Sequence, residues 1–141
     1  MDKSKIRNRV DELCELTKIK PEILKRYPAE LSGGQQQRVG LMRALMLDPP
    51  MVLLDEPLAS IDPLVRYELQ NDLREIFQKM SKTVLLVTHD LGEAAYLADR
   101  IVLMHQGSIV QEDTFENLMQ NPATPFVNEF INAQRSPISG I

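Results

Sequence analysis

The sequence predicts an α/β fold in which a mostly parallel sheet is flanked by helices. Two short apolar runs, Met51–Leu54 and Thr83–Val87, lack the alternation of a half-exposed strand and predict strands buried on both faces. Segments of helical periodicity stand before, between and after these runs, and strands alternating with helices are typical of this class. The chain has 141 residues, which suits one domain with a modest core.

The first third of the chain predicts three helices. Residues 3 to about 18 carry apolar side chains at helical spacing between charged ones, the pattern of an amphipathic helix. Pro21 suits the first turn of a second, short helix over Glu22–Arg26. The third helix runs from about Gly34 to Leu47, and the Asp-Pro-Pro sequence that follows stops it.

Capping residues mark the starts of two later helices. Asp62 as the cap and Pro63 in the first helical position predict a long helix with one apolar stripe. Asp90 and Glu93 form a capping-box-like start for a helix that reaches Ala98.

The last part of the chain predicts a hairpin followed by helices. Two strands, Ile101–Met104 and Ser108–Gln111, are joined by His-Gln-Gly, which indicates a tight turn at the edge of the sheet. Two short helices over 114–119 and 125–131 follow. We expect the tail, residues 135–141, to be disordered.

The composition excludes several classes of protein. A net charge of −4 provides no overall basic surface for nucleic acid. The single cysteine, Cys14, excludes an internal disulfide and suits a reducing cytosol. No apolar run is long enough to span a bilayer, and the N-terminus leads into a charged helix rather than a signal peptide. Any association with a membrane is therefore expected to come through a partner.

The stretch Leu31-Ser32-Gly33-Gly34-Gln35 is a candidate anion site. Ser32 is a natural helix cap, and the two glycines remove side chains that would keep a ligand away from the backbone. Free N–H groups and the helix dipole favour an anion at such a start. Taken alone, these five residues fit a turn that simply caps a core helix equally well.

Polar residues follow both predicted strands. Asp55 and Glu56 come directly after the first strand, and His89 follows the second. Because α/β folds place ligands at the carboxyl ends of their strands, a carboxylate there can hold Mg²⁺, usually through retained water. Each feature alone also fits a simpler interpretation, a strand-to-turn junction or an exposed structural histidine.

Taken together, these stretches resemble the ATPase subunits of ATP-binding-cassette (ABC) transporters. Leu31–Gln35 matches the signature motif, Met51–Pro57 the Walker B strand, Ser60–Asp62 the D-loop and Val84–Asp90 the H-loop. The four motifs occur in the family's order and spacing, which makes the joint match very specific.

The resemblance implies a fold and its division into parts. The fold is a partial P-loop NTPase fold. Residues 1–48 would be the remnant of a helical subdomain that ends in the signature helix. Residues 49–112 would be the remnant of a RecA-like core, and residues 113–141 the C-terminal helices and tail.

The resemblance also implies roles for individual residues. Asp55 would hold Mg²⁺ through water, and Glu56 would polarise the attacking water. His89 would contact the γ-phosphate and would position Glu56 and the attacking water. ATP would be contacted in trans, across a dimer of ATPase subunits, by Leu31, Ser32, Gly33, Gly34, Gln35 and Asp62. Permease subunits would be the other partners. They would hold the protein on the inner, cytoplasmic face of the cell membrane.

The family's phosphate-binding loop, G-x-x-x-x-G-K-[ST], does not occur in the sequence, since none of the six glycines precedes a lysine. The family's glutamine loop is also absent. We therefore expect a C-terminal portion of an ATPase subunit that neither binds nor hydrolyses ATP by itself. Without the P-loop strand, two strands keep unpaired edges. We expect the chain to close this gap directly or to self-associate through those edges.

Within the family, the motifs resemble importers, and most of all the group that takes up glycine betaine, carnitine and choline. Two other classes stay open. One is a soluble cassette ATPase of translation or repair, and the other is a non-enzymatic protein that binds a permease or an intact ATPase subunit and regulates it.

Overall fold

The computed structural model describes residues 2–59 and 61–134. They fall into two compact units that divide between Val87 and Thr88, here called the N-terminal unit and the C-terminal unit. The three parts predicted from the resemblance use other boundaries, 48/49 and 112/113, and remain a prediction.

In residues 2–59 and 61–87, the N-terminal unit contains three α-helices and two strands, in an order that confirms the predicted elements. The predicted second helix is a short 3₁₀ turn, Pro21–Lys25, and another such turn covers Pro28–Glu30. The remaining elements are α1 (Lys3–Leu16), α2 (Gly33–Leu45), β1 (Met51–Asp55), α3 (Pro63–Lys79) and β2 (Thr83–Val87).

The apolar faces of these helices supply most of the core of the N-terminal unit. Side chains at helical spacing become almost fully buried, because one face of each amphipathic helix turns inward. The most deeply buried apolar residues of this unit are Leu13, Leu45, Val52, Leu58, Leu69 and Ile76.

The two strands of the N-terminal unit pair in parallel, with Met51 opposite Thr83. The prediction that both faces of these strands are buried is wrong. Val52 is 2% exposed, whereas its neighbour Leu53 is 67% exposed, and Leu85 on β2 is 53% exposed. Successive side chains of a strand point to opposite faces, and only one face of this two-stranded sheet is covered.

Residues 88–134, the described part of the C-terminal unit, contain a hairpin and three helices. The predicted hairpin is confirmed, because β3 and β4 pair antiparallel around Gln106 and Gly107. These two residues have φ angles of 48° and 77°, as the tight turns of hairpins require. The predicted place of the hairpin at the edge of the parallel sheet is wrong, because among the described residues β3 and β4 form a sheet of their own. The elements are α4 (Leu91–Leu97), β3 (Ile101–His105), β4 (Ser108–Asp113), α5 (Phe115–Gln120) and α6 (Pro125–Gln134).

The core of the C-terminal unit lies between the hairpin and the helices. Phe126 and Phe130, four residues apart on α6, stack with ring centroids 6.2 Å apart. The predicted disorder of residues 135–141 lies outside the described residues. The buried members of the core are Leu91, Ile101, Leu103, Leu118, Val127 and Ile131.

The α/β class is confirmed by this arrangement of strands and helices. The strands form two two-stranded sheets, a parallel one in the N-terminal unit and an antiparallel one in the C-terminal unit. Among residues 2–59 and 61–134, no helix combines the length and the apolar character that crossing a bilayer requires.

Candidate functional site

The start of α2 is a fully formed helix cap. Ser32 has extended backbone angles, and its hydroxyl accepts a hydrogen bond from the Gln35 amide at 3.3 Å. The Gln35 side chain accepts one from the Ser32 amide at 3.1 Å, which completes a capping box. The serine, the glutamine and the helix start are thereby held in one arrangement.

The two glycines of this stretch have different surroundings. A Cβ atom on Gly33 would meet nothing within 4 Å, and the residue is exposed. A Cβ atom on Gly34 would lie 3.3 Å from Cγ1 of Val65, in the first turns of α3. Gly34 thus permits close packing of the two helix starts, whereas nothing inside the chain requires a glycine at position 33.

The side chains that follow the glycines join α2 to its neighbours. Gln37 donates a hydrogen bond to the carbonyl of Pro57, in the turn after β1. Arg38 forms an ion pair with Asp72 on α3, and the Asp72 side chain is only 13% exposed. Lys18, after α1, pairs with the same aspartate at 2.9 Å. The signature helix, the turn after β1 and α3 are therefore linked directly.

Asp55 and Glu56 lie at the carboxyl end of β1, as predicted. Asp55 is exposed, and Glu56 is half-buried with its amide bonded to the Val87 carbonyl at 2.9 Å. Glu56 has a φ of 46°, in the left-handed region that residues other than glycine and asparagine rarely adopt.

Asp62 caps α3, also as predicted. Its carboxylate accepts a hydrogen bond from the Leu64 amide at 3.0 Å, and its carbonyl accepts one from the Arg66 amide at 2.7 Å. Because Gly34 packs against Val65, the starts of α2 and α3 lie beside each other. The N-terminal unit thus brings the signature residues close to the start of the helix that Asp62 caps.

His89 belongs to the C-terminal unit, in the segment between β2 and α4. The residue is exposed, and its carbonyl accepts a hydrogen bond from the Gln134 side chain at 3.1 Å. Asp90 caps α4 by accepting from the Glu93 amide at 3.0 Å, which confirms the predicted cap.

The carboxylates do not make a complete metal site by themselves. In the part of the chain that the structure describes, no group of three or more His, Cys, Asp or Glu side chains could hold a metal ion. Mg²⁺ binds few protein ligands and keeps several waters, so one exposed carboxylate such as Asp55 fits a site completed by water and phosphate oxygens.

Several contacts that shape the site were missed by the sequence interpretation. The side-chain half of the capping box at Gln35 could have been identified, because Ser-x-x-Gln before a helix is its pattern. Gln37, Arg38 and Asp72 gave no comparable signal, since their partners lie 20 or 34 residues away in the sequence. Such long-range pairs follow from packing and not from local pattern.

Comparisons with known proteins agree with the motifs. Residues 2–59 match the family model described as ABC transporter. The chain is 48% identical over 131 residues to OpuCA of Bacillus subtilis, a glycine betaine/carnitine/choline transport ATP-binding protein. This match covers 93% of the present chain and 34% of OpuCA. The chain is also 43% identical over 136 residues to the osmoprotectant import ATP-binding protein OsmV of Salmonella typhimurium, covering 96% and 36%. The chain thus spans about a third of the length of the curated relatives it matches.

A solved structure supports the same conclusion about the fold. It is the dimeric post-hydrolysis state of the ATP-binding cassette MJ0796 bound to ADP and Pi, with a TM-score of 0.65 and 31% sequence identity. The match covers 82% of this chain and 49% of that one. This likeness confirms the predicted partial P-loop NTPase fold. Motifs, relatives and fold therefore agree: residues 2–59 carry part of an ABC transporter domain, and the chain resembles the ATP-binding proteins of osmoprotectant import in particular.

Proposed function

We propose that the chain acts as part of an ATPase subunit that couples ATP binding and hydrolysis to the import of osmoprotectants such as glycine betaine, carnitine or choline. The observation that carries this proposal is the identity of 43–48% to ATP-binding proteins of such systems over more than nine-tenths of the chain. This role places the chain on the cytoplasmic face of the membrane, held there by permease subunits.

The residues after β1 would do the local chemistry. Asp55, exposed at the strand end, would hold Mg²⁺ through water, and the ion would neutralise charge on the phosphates. Glu56, at the end of the same strand, orients the attacking water. His89 contacts the γ-phosphate. Phosphoryl transfer depends mostly on positioning and charge stabilisation, so few such groups suffice.

The start of α2 would serve a nucleotide held by another subunit. Ser32 and the amides around Gly33 form a helix start that favours an anion, and the open space at Gly33 lets a phosphate approach the backbone. Leu31 and Gln35 belong to the same surface, Gly34 is buried directly behind it, and Asp62 lies at the start of the adjoining helix. The partner in this arrangement is a second ATPase subunit.

The proposal involves two surfaces that bind nucleotide, a signature surface and a P-loop. The chain has the signature surface, but the sequence has no P-loop to bind the phosphates of its own nucleotide. We expect calorimetry of the chain with Mg-ATP to give no submillimolar binding. Submillimolar affinity for the isolated chain would contradict this expectation.

Binding in trans is tested with an intact relative. The chain is mixed with purified OpuCA of Bacillus subtilis, with and without Mg-ATP, and complexes are measured by size-exclusion chromatography with light scattering. We expect a complex that requires ATP. Gly33→Asp should weaken it about tenfold or more, because a carboxylate is placed against phosphate.

Gly40→Asp is the matched control for this test. Gly40 lies on the same helix and is exposed, and a Cβ atom added there would likewise meet nothing within 4 Å. Equal loss with both variants, or an unchanged complex with Gly33→Asp, would contradict the proposed role of the signature surface.

A further inference from the structure

Glu93 is a buried acid that the proposed chemistry does not use. It lies on α4, four residues after His89, and is only 5% exposed. Burying a carboxylate is costly unless hydrogen bonds compensate. Its position so close to His89 therefore calls for a physical reason.

The Glu93 side chain is bonded to a residue on the other side of His89. Its Oε2 atom accepts a hydrogen bond from the Thr88 hydroxyl at 2.8 Å. The Thr88 hydroxyl oxygen in turn accepts one from the Asp90 amide at 3.1 Å, and the Asp90 carboxylate accepts from the Glu93 amide at 3.0 Å. Three hydrogen bonds thus form a closed ring around the segment 88–90.

This ring differs from an ordinary capping box. In a capping box, the side chain of Glu93 would accept from the amide of the cap residue, Asp90. Here the Thr88 hydroxyl lies between the Glu93 carboxylate and the Asp90 amide. The carboxylate therefore accepts its hydrogen bond from a residue two positions before the cap residue. A helix cap alone needs only Asp90, and the additional bond to Thr88 fixes the backbone on both sides of His89.

A second contact holds the same segment from α6. The Gln134 side chain donates to the His89 carbonyl at 3.1 Å. Gly92 also matters, because a Cβ atom there would lie 3.1 Å from the Asp90 carboxylate. The segment 88–90 is thereby held by hydrogen bonds from both α4 and α6, while His89 itself remains exposed.

We propose that Glu93, acting through the Thr88 hydroxyl, is a positioning residue that fixes the backbone of His89. The proposal rests on the proposed function for its catalytic meaning, since His89 is the group that meets the γ-phosphate there. The closed ring of three hydrogen bonds restrains the segment 88–90, and restraint of the backbone at this histidine limits the positions of its ring relative to a bound phosphate.

The test uses the chain itself and does not depend on nucleotide. Thr88→Val keeps the shape of the side chain and removes the hydroxyl, whereas Thr88→Ser keeps the hydroxyl. Glu93→Met removes the acceptor, whereas Glu93→Gln keeps one. Glu129→Gln, on an exposed position of α6, is the control. Amide hydrogen exchange and backbone order parameters are measured by NMR for each variant.

We expect Thr88→Val and Glu93→Met to speed exchange at the Asp90 amide about tenfold relative to the amides of β3. The order parameter at His89 should fall from about 0.85 to below about 0.6. Thr88→Ser, Glu93→Gln and Glu129→Gln should stay within about twofold of the unaltered chain.

Two outcomes would overturn the proposal. One is unchanged exchange at Asp90 in Thr88→Val, and the other is an equal increase at Asp90 and in β3, which would mean general destabilisation of the unit. The result is separate from the proposed function, because the failure of Gly33→Asp to affect ATP-dependent assembly would leave this measurement unchanged.

Discussion

The two units build their sheets in opposite ways. In the C-terminal unit, β3 and β4 are neighbours in sequence, pair antiparallel through a two-residue turn and pack on their own helices. In the N-terminal unit, β1 and β2 are separated by α3, pair in parallel and keep one apolar face exposed. A hairpin needs little more than its turn and one covering layer, whereas parallel strands need cover on both faces.

The largest expected effect tests whether the core of the C-terminal unit contributes more to the free energy of unfolding than the exposed face of β1 does. Leu118→Ala removes a fully buried side chain and should lower the free energy of unfolding by about 2–5 kcal/mol. Leu53→Ala, at an exposed position of β1, should cost about 0.5 kcal/mol. Chemical denaturation measures both, and equal losses would contradict the contrast between the two sheets.

The next effect concerns the packing of α2 against α3 in the N-terminal unit. Gly34→Ala places a methyl group 3.3 Å from Cγ1 of Val65, so the valine must shift, and the variant should be less stable than Gly33→Ala by about 1 kcal/mol. Gly33→Ala, in open space, should be neutral or stabilising by about 0.5 kcal/mol. The double variant with Val65→Ala should recover part of the Gly34→Ala loss, and no recovery would argue against this contact as the cause.

A smaller effect compares one helix cap from each unit. Asp62→Ala and Asp90→Ala should each cost about 1 kcal/mol, because each removes the acceptor for one amide at a helix start. Asp62→Asn keeps an acceptor and is the control. In thermal denaturation, an Asp62→Asn variant as unstable as Asp62→Ala would show that the charge, and not the cap, matters.

The smallest expected effect is a pH dependence confined to the N-terminal unit. Hydrogen bonds from Lys18 and then Lys79 lower the pKa of Glu75 on α3 from 4.5 to about 2. Because the folded-state pKa is depressed, the stabilisation is complete above about pH 4.5 and is lost as the pH falls toward 2. The group is exposed, so the contribution is small and screened by salt.

Denaturation of the unaltered chain and of Glu75→Gln between about pH 2 and 6 measures this contribution. The difference in stability should shrink as the pH falls, and Glu129→Gln should show no such trend. A difference that grows toward acid pH would have the wrong sign for an ion pair with lysine.

Most of the fold could be predicted from local signals in the sequence. The caps at Ser32, Asp62 and Asp90 and the turn at Gln106 and Gly107 all act within a few residues, and the structure has each of them. The exposed faces of β1 and β2 could not be predicted, because the sequence of an apolar strand does not show whether other elements cover one of its faces or both.

The candidate site was predictable as a set of residues but not as an arrangement. The motifs indicated Asp55, Glu56 and His89 by their positions after strands. The ring formed by Thr88, Asp90 and Glu93 was only partly visible, because the cap pattern predicts the bond to Asp90 and not the diversion through a threonine hydroxyl.

The left-handed backbone of Glu56 has a consequence for protein engineering. A non-glycine residue with φ near 46° lowers the stability of the fold by about 1 kcal/mol relative to glycine. A redesign that optimised folding energy alone would therefore replace Glu56 by glycine early. Under the proposed function, that substitution deletes the carboxylate that orients water. The position therefore marks where selection for thermostability and selection for turnover would oppose each other.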